Sequence, residues 1–284
     1  MDDIADFRLK KFDVDGKTYE VCVPNIPQDQ FFAGYMQSTL PYEYTMLTDM
    51  ASRIHEGDHI LDVGGHIANH SLYLTSVTGC NSTIFEPNPL LHPSIEGSLA
   101  KNHLKDKITL IKKGVGEKPS TAHFEARIDQ NIGMQSLSVS EDAGNSVEVI
   151  ALDDMLADLP PIKLMKVDVE GMEVAVLKGA KKLIETHKPP IYIECRAEED
   201  YLPVHNWMSE AGYVWCATFN ATPTHLYVHS STMTAEQRVE CLIHKQVRES
   251  YYRQQQINEA IRKLQQLSIE NQRLKQMLAQ KGVA

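Results

Sequence analysis

The chain has 284 residues, enough for one sizeable α/β core and an appendage but not for two full enzymatic domains, since single cores stop growing at roughly 250–300 residues. Its formal net charge of −10 is uneven, because residues 232–284 hold nine Lys or Arg against five Asp or Glu, leaving 19 against 33 in residues 1–231. So acidic a body argues against nucleic acid as substrate, where affinity comes mostly from cations on phosphates.

Residues 7–24 alternate in polarity around Asp15-Gly16, the signature of an N-terminal β-hairpin. Residues 41–55 read as a helix leading into the first sheet strand, placed to cover a ligand. Short apolar runs then alternate with helical patterns, with strands near 59–63, 82–86, 108–111, 163–167, 191–195, 213–217 and 225–229. Helices are expected near 68–76, 91–102, 150–157, 172–185 and 203–211. Such alternation predicts a mostly parallel sheet covered on both faces. The last two strands, joined by a turn at Asn220–Pro223, are expected to pair antiparallel, and polar residues 124–148 to form a loop or β-excursion over the site.

Residues 234–281 contain neither Pro nor Gly and read as one long helix. Ile257, Leu264, Asn271 and Leu278 recur every seven residues, with Ala260, Leu267 and Leu274 at the companion positions. This is a short coiled-coil seam. Asn271 in the seam and the Glu270/Lys275 pair favour a parallel homodimer, with attachment to another protein as the alternative. Three regions are thus expected: 1–55, hairpin and covering helix; 56–231, the catalytic domain; 232–284, the coil. Five cysteines form no C-x-x-C pair and suggest reduced thiols. With no leader-like start and no apolar stretch near 18 residues, a cytoplasmic protein is expected.

The chemistry is carried by Ile60-Leu61-Asp62-Val63-Gly64-Gly65-His66, an apolar run ending on an acid and two glycines, and by Glu86, which closes Thr83-Ile84-Phe85. Glycines at a strand end let backbone approach a ligand, and an acid ending the next strand lies where ribose hydroxyls bind. The loop lacks the G-x-G-x-x-G spacing of dinucleotide sites, and Asp62 offers charge suited to a sulfonium and an ammonium. The expected ligand is therefore S-adenosylmethionine rather than NAD, with Asp62 and Glu86 embracing its nucleoside from two strand ends.

Taken with Leu164-Met165-Lys166-Val167-Asp168-Val169-Glu170-Gly171-Met172-Glu173, DVGGHIANHSLYL at 62–74, FEPNP at 85–89 and VIALDDML at 149–156, the chain resembles the FkbM-type family of S-adenosylmethionine-dependent O-methyltransferases from about Pro41 to Ile193. The resemblance implies a doubly wound, Rossmann-like class I methyltransferase sheet and transfer of a methyl group to a hydroxyl of a saccharide or other small molecule. The chain departs from the family's usual pattern at Gly65-His66, where Ala-Asn is typical, and at Ala68, where glycine is. The residues expected to hold the cofactor are Asp62, Gly64, Gly65, His66, Asn69, Glu86, Asn88 and Asp168.

Asp168 and Glu170 follow a strand whose C-terminal end should open on the pocket, so Asp168 is the first candidate for base and Glu170 the next. Glu194 ends another strand and faces the same crevice, either binding a sugar hydroxyl or pairing with Arg196 at the rim. His70 is a further candidate base. Asp168, Glu170 and Glu194 together can alternatively hold a divalent cation, although no ligand spacing demonstrates one. Glu173 is expected to cap the helix after Gly171, and Asp153 and Asp154 to serve as N-cap and first-turn acid. The competing readings are an NAD(P)-linked oxidoreductase and an inactive methyltransferase-like scaffold that recruits a partner through its coil.

Overall fold

The computed structural model describes residues 6–26, 28–124, 137–139, 146–196, 198–243, 246, 261–264 and 266–267. The chain divides into two compact units, Met1–Met233 and Thr234–Ala284. In the first unit the strands are β1 (Phe7–Val14), β2 (Lys17–Pro24), β3 (His59–Val63), β4 (Asn81–Phe85), β5 (Ile108–Ile111), β6 (Gly114–Val115), β7 (Ser120–Phe124), β8 (Leu137–Val139), β9 (Ser146–Ile150), β10 (Ile162–Val167), β11 (Ile191–Glu194), β12 (Tyr213–Phe219) and β13 (Thr224–His229). The helices are α1 (Gln30–Gln37), α2 (Tyr44–Ala51), α3 (Asn69–Thr78), α4 (His92–Lys101), α5 (Glu173–Gly179), α6 (Lys181–His187) and α7 (Glu198–Glu210).

Seven strands form one sheet in the order β12-β13-β11-β10-β3-β4-β5. Neighbours from β11 to β5 run parallel, and β13 runs antiparallel to both β11 and β12, as the turn at Asn220–Pro223 led one to expect. Strand alternation sends successive side chains into two different cores. Ile60, Ile84, Leu164, Tyr192 and Leu226 join the core made with the hairpin and helices α2, α3 and α4. Leu61, Phe85, Met165, Val167, Ile193 and Tyr227 face the core made with α5, α6 and α7. Each fully buried Leu or Ile contributes roughly 1.5–3 kcal/mol. Two polar residues, Asp62 and Lys166, share parity with Ile60 and Leu164 and oppose each other in the β3/β10 register. The architecture is α/β and Rossmann-like.

The hairpin forms around Asp15-Gly16, both at positive φ, and Asp15 accepts hydrogen bonds from the hydroxyls of Tyr44 and Tyr73. The free edge of β2 lies along α4. Glu20 exchanges two hydrogen bonds with the Asn102 amide (2.8 and 2.6 Å). Two residues on, the Cys22 N–H donates to Ser98 Oγ at 2.9 Å and its carbonyl accepts from Ser94 Oγ.

Several elements differ from the sequence expectation for physical reasons. Residues 41–55 yield a shorter helix, α2, because Glu43 takes a left-handed conformation (φ 60°) that starts the helix at Tyr44. The preceding α1 was not foreseen; at eight residues, with Gly34 inside, it relies on the Asp29 carboxylate accepting from the Phe32 N–H at 3.2 Å. The helix expected over 150–157 is a 3-10 turn, Leu152–Met155, ahead of Pro160-Pro161. Asp153 does not cap that turn; it accepts from the Lys182 and Leu183 N–H groups (3.0 and 2.9 Å) and caps α6 instead. The helix over 172–185 is two, α5 and α6, breaking where a Cβ on Gly179 would lie 1.9 Å from the Gly116 carbonyl oxygen. Helix α7 begins at Glu198, five residues before Pro203. Strands β7, β8 and β9 give the expected β-excursion its sheet, of order β6-β9-β7-β8; residues 125–136 and 140–145 lie outside the described residues.

In the second unit, residues 235–243, 246, 261–264 and 266–267 are helical, and Val239, Leu242, Ile243, Ile261, Leu264 and Leu267 are exposed. The remaining seam positions, Ile257, Ala260, Asn271, Leu274 and Leu278, and the Glu270/Lys275 pair lie outside the described residues. Among the described residues no helix is long and apolar enough to cross a membrane.

Candidate active site

A cavity of about 410 Å³ opens beyond the C-terminal ends of β3, β4, β10 and β11, the usual position for ligands in open α/β sheets. Its wall includes Gly64, Gly65, His66, Asn69, His70, Glu86, Asn88, Asp168, Glu170 and Glu194, so every candidate from the sequence reaches it except Asp62.

The loop after β3 is built for close approach. Gly64 has φ 79°, and a Cβ there would lie 1.7 Å from the Asp168 carbonyl oxygen; one on Gly65 would lie 2.3 Å from Ile84 Cγ2. Both amides donate to the Phe85 carbonyl (2.9 and 3.2 Å), which ties the loop to the end of β4. Ala68 takes φ 65° and starts α3 without a side-chain cap. This is a left-handed conformation that costs an L-residue about 1–2 kcal/mol.

Glu86 is buried, with each carboxylate oxygen held by a backbone amide: His66 N–H to Oε2 and Asn88 N–H to Oε1, both at 2.8 Å. Burial pushes its pKa up to about 7, against the pull of the Asn88 and His66 amides. Asn88 also folds its own loop, its Oδ1 accepting from the Leu90 N–H at 3.0 Å. The His66 ring stacks on Phe32 (centroids 5.5 Å, planes 6° apart) and meets Phe31 edge-on, and burial drops its pKa to about 4, so it is neutral.

Asp62 corrects the expectation of two acids embracing one ligand. Strand parity turns its side chain toward α3, behind the glycine loop, where Oδ2 accepts from the Ser71 hydroxyl at 2.7 Å. Its counter-charge is Lys166, which the sequence reading passed over. Lys166 is only 3% exposed, donates to the Gly64 carbonyl at 2.8 Å, and sits 3.6 Å from Asp62 and 3.1 Å from Asp168. Burial disfavours its charge, but Asp168, Asp62 and Glu43 outweigh this and hold its pKa above the ordinary lysine value. The signal for it was a lone cation inside the otherwise apolar run Leu164–Val167.

Three acids converge at the mouth, with carboxylate oxygens of Asp168, Glu170 and Glu194 within 4.8 Å of one another. Their charge is divided unequally. Burial would raise Asp168, yet Lys166 and a hydrogen bond from Glu194 keep it below the ordinary carboxylate value. Burial and the Asp168 charge push Glu194 up to about 9, so Glu194 carries the proton at neutral pH. Glu170, at φ 58°, is raised to about 7 by burial and Asp168, opposed by its ion pair with Arg196. Arg196 also approaches Glu194 at 3.7 Å, so the rim pair considered from the sequence is present. Glu173 does not cap α5 as expected: it accepts from the Gly171 N–H at 3.1 Å, ahead of the helix, and the N-cap, Met172, has no side-chain cap.

Part of the wall comes from the N-terminal segment. Phe31 and Tyr42 line the cavity with their rings 5.1 Å apart. Asn69 anchors that segment: its Oδ1 accepts from the Tyr35 hydroxyl (2.9 Å) and its Nδ2 donates to the Tyr42 carbonyl (3.0 Å). His70 Nε2 lies 2.9 Å from Glu43 Oε2.

The methyltransferase FkbM domain model matches residues 62–215, more than half of the chain and the span that carries the glycine loop, Glu86 and the three acids. The chain belongs to the FkbM methyltransferase family. A curated relative, the hexuronic acid methyltransferase AglP of Haloferax volcanii, is 28% identical over 158 residues, 55% of this chain and 63% of the relative. The chain thus spans a little under two thirds of that relative's length. Among solved structures, the methyltransferase FkbM of Methylobacillus flagellatus aligns with TM-score 0.49 and 20% identity over 62% of this chain and 44% of that one. The precorrin-6y C5,15-methyltransferase of Geobacter metallireducens aligns with TM-score 0.43 and 13% identity over 67% and 90%. Within the FkbM family match lie all the cavity acids, whereas Phe31, Tyr42 and Glu43 precede it.

Proposed function

We propose that this FkbM-family protein is an S-adenosylmethionine-dependent O-methyltransferase whose acceptor is a hydroxyl of a saccharide or a similar small polyol. The observation that carries the reading is the amide-clamped, buried Glu86 beside a glycine pair with no room for side chains. That arrangement fits a nucleoside: bare backbone for close approach, a carboxylate for the ribose hydroxyls. Gly64, Gly65, His66, Asn69, Glu86, Asn88 and Asp168 are the residues to hold it, with Asp62 acting at one remove through Lys166. S-adenosylmethionine supplies, when bound, an electrophilic methyl group on a sulfonium. The wall carries the acids Glu86, Asp168 and Glu170 together with the cations Lys166 and Arg196, so a ligand bearing both positive and negative groups, as S-adenosylmethionine does, meets partners of each sign. Phe31 and Tyr42 offer flat apolar faces for a sugar ring, and Glu194, whose proton is given to Asp168, offers a substrate hydroxyl an acceptor oxygen. The saccharide assignment is supported further by the name of the curated relative.

Calorimetric titration with S-adenosylhomocysteine and with NAD tests the cofactor, and labelled methyl transfer onto a panel of neutral and acidic saccharides tests the acceptor. Binding of NAD without S-adenosylhomocysteine overturns the reading. For residues 232–284 we infer a homodimeric coil, supported by the heptad pattern and the exposed Leu264 and Leu267. Sedimentation of the full chain against a chain ending at Met233 should show a dimer and a monomer; equal mass states refute it.

A further inference from the structure

Among the acids and histidines of the cavity wall, Glu86 is clamped by two backbone amides, His66 packs against Phe31 and Phe32 with its Nε2 buried, and the three acids at the mouth are already engaged. Asp168 is held by Lys166 and by Glu194, Glu194 bears a proton, and Glu170 is paired with Arg196. His70 differs. It stands in the first turn of α3, lines the cavity, and turns Nε2 toward Glu43, with both side chains 7% exposed. Among the described residues no protein atom bonds its Nδ1.

We propose that Glu43 is a positioning residue that accepts the Nε2–H of His70 and so fixes the tautomer in which Nδ1 is the general base for the acceptor hydroxyl. This rests on the methyltransferase reading but goes beyond the family match, because Glu43 precedes residues 62–215. An imidazole has one N–H when neutral, and a carboxylate on one nitrogen decides which nitrogen keeps the lone pair. The hydroxyl proton passes to Nδ1 as the oxygen's electron pair forms the new O–C bond and the carbon–sulfur bond breaks with its pair on sulfur. The imidazolium then shares its charge with Glu43 until the proton returns to water.

The backbone around Glu43 supports a selected geometry. Glu43 holds φ 60°, ψ 35°, a conformation that L-residues adopt at a cost and that clusters at functional sites. The preceding carbonyl, of Tyr42, is tied to Asn69, the residue next to His70. The N-terminal segment therefore brings both the carboxylate and its alignment to α3.

The test is a long-range proton–nitrogen NMR spectrum of full-length protein with 15N-labelled histidine at pH 8, His70 being assigned by its loss in His70→Gln. The expected result is a protonated Nε2 and an unprotonated Nδ1 in the wild type, and a mixture of tautomers in Glu43→Gln. A wild-type His70 protonated on Nδ1, or a tautomer unchanged in Glu43→Gln, overturns the proposal. Alongside, Glu43→Gln should lower the methylation rate by about 10- to 100-fold and His70→Gln by about 10²- to 10⁴-fold, each with S-adenosylhomocysteine affinity within about twofold of wild type. Unchanged rates with either variant overturn the base assignment. Loss of S-adenosylhomocysteine binding by the wild type overturns the methyltransferase reading instead, while the tautomer still decides the role of Glu43.

Discussion

Replacing Lys166 with Met removes the ammonium that neutralises Asp62 and Asp168 and keeps the apolar length of the side chain. Lys166 is 3% exposed and Asp62 1% exposed, so the variant leaves a carboxylate stranded in the core between β3 and α3. Breaking a buried pair on one side costs about 3–5 kcal/mol. With a urea slope of about 2 kcal/mol/M, the midpoint should fall by about 1.5–2.5 M. The double variant Lys166→Met/Asp62→Asn should recover about half of that loss, because an Asn can still accept from the Ser71 hydroxyl without bringing a charge. The pKa of Lys166 is raised in the folded protein, so its stabilisation is present below the unfolded lysine value and is lost only as pH rises through the folded one. Lys166 itself therefore stays charged between pH 6 and 9, and the difference between wild type and variant should shrink as pH falls and the acids deprived of it, Glu86 and Glu194 among them, take up protons. A cost below about 1 kcal/mol, or no recovery in the double variant, would refute the idea that Lys166 balances Asp62.

Gly64→Ala must bear both a left-handed Ala and a Cβ 1.7 Å from the Asp168 carbonyl oxygen, for a combined cost of about 2–5 kcal/mol. Gly171→Ala, at φ 103° with no atom within 4 Å of the new Cβ, should bear only the backbone cost; equal losses in urea melts would contradict the packing argument. Affinity for S-adenosylhomocysteine should rise as pH increases through about 7, where Glu86 loses its proton and becomes a stronger acceptor for ribose hydroxyls. Glu86→Gln should flatten that profile in calorimetry. Asp153→Ala should cost about 0.5–2 kcal/mol by uncapping α6, whereas the exposed Asp154→Ala should change stability by less than about 0.5 kcal/mol.

Much of the sheet was readable because its strands are short apolar runs bounded by turns, and the glycine pair and Glu86 were readable because both sit at strand ends. Asp62 was misplaced for a reason equally physical: it lies inside the strand, where a period of two turns it away from the cavity. Lys166 was hidden by the apolar residues on either side. Glu43 and His70 are 27 positions apart, and nothing local announces that a left-handed turn will bring them within 2.9 Å. The break between α5 and α6 likewise depends on Gly116 meeting Gly179, a contact between distant segments.

The alignment of α4 with the hairpin keeps the outer edge of β2 from being left bare. Ser94, Ser98 and Asn102 recur every four residues, about 6 Å along a helix, close to the two-residue step of roughly 6.6–6.8 Å that separates Glu20 from Cys22 on the strand. The helix therefore serves β2 as a surrogate neighbour, supplying donors and acceptors in the register a third strand would use. An edge occupied in this way cannot template pairing with another chain, the route by which exposed strands aggregate.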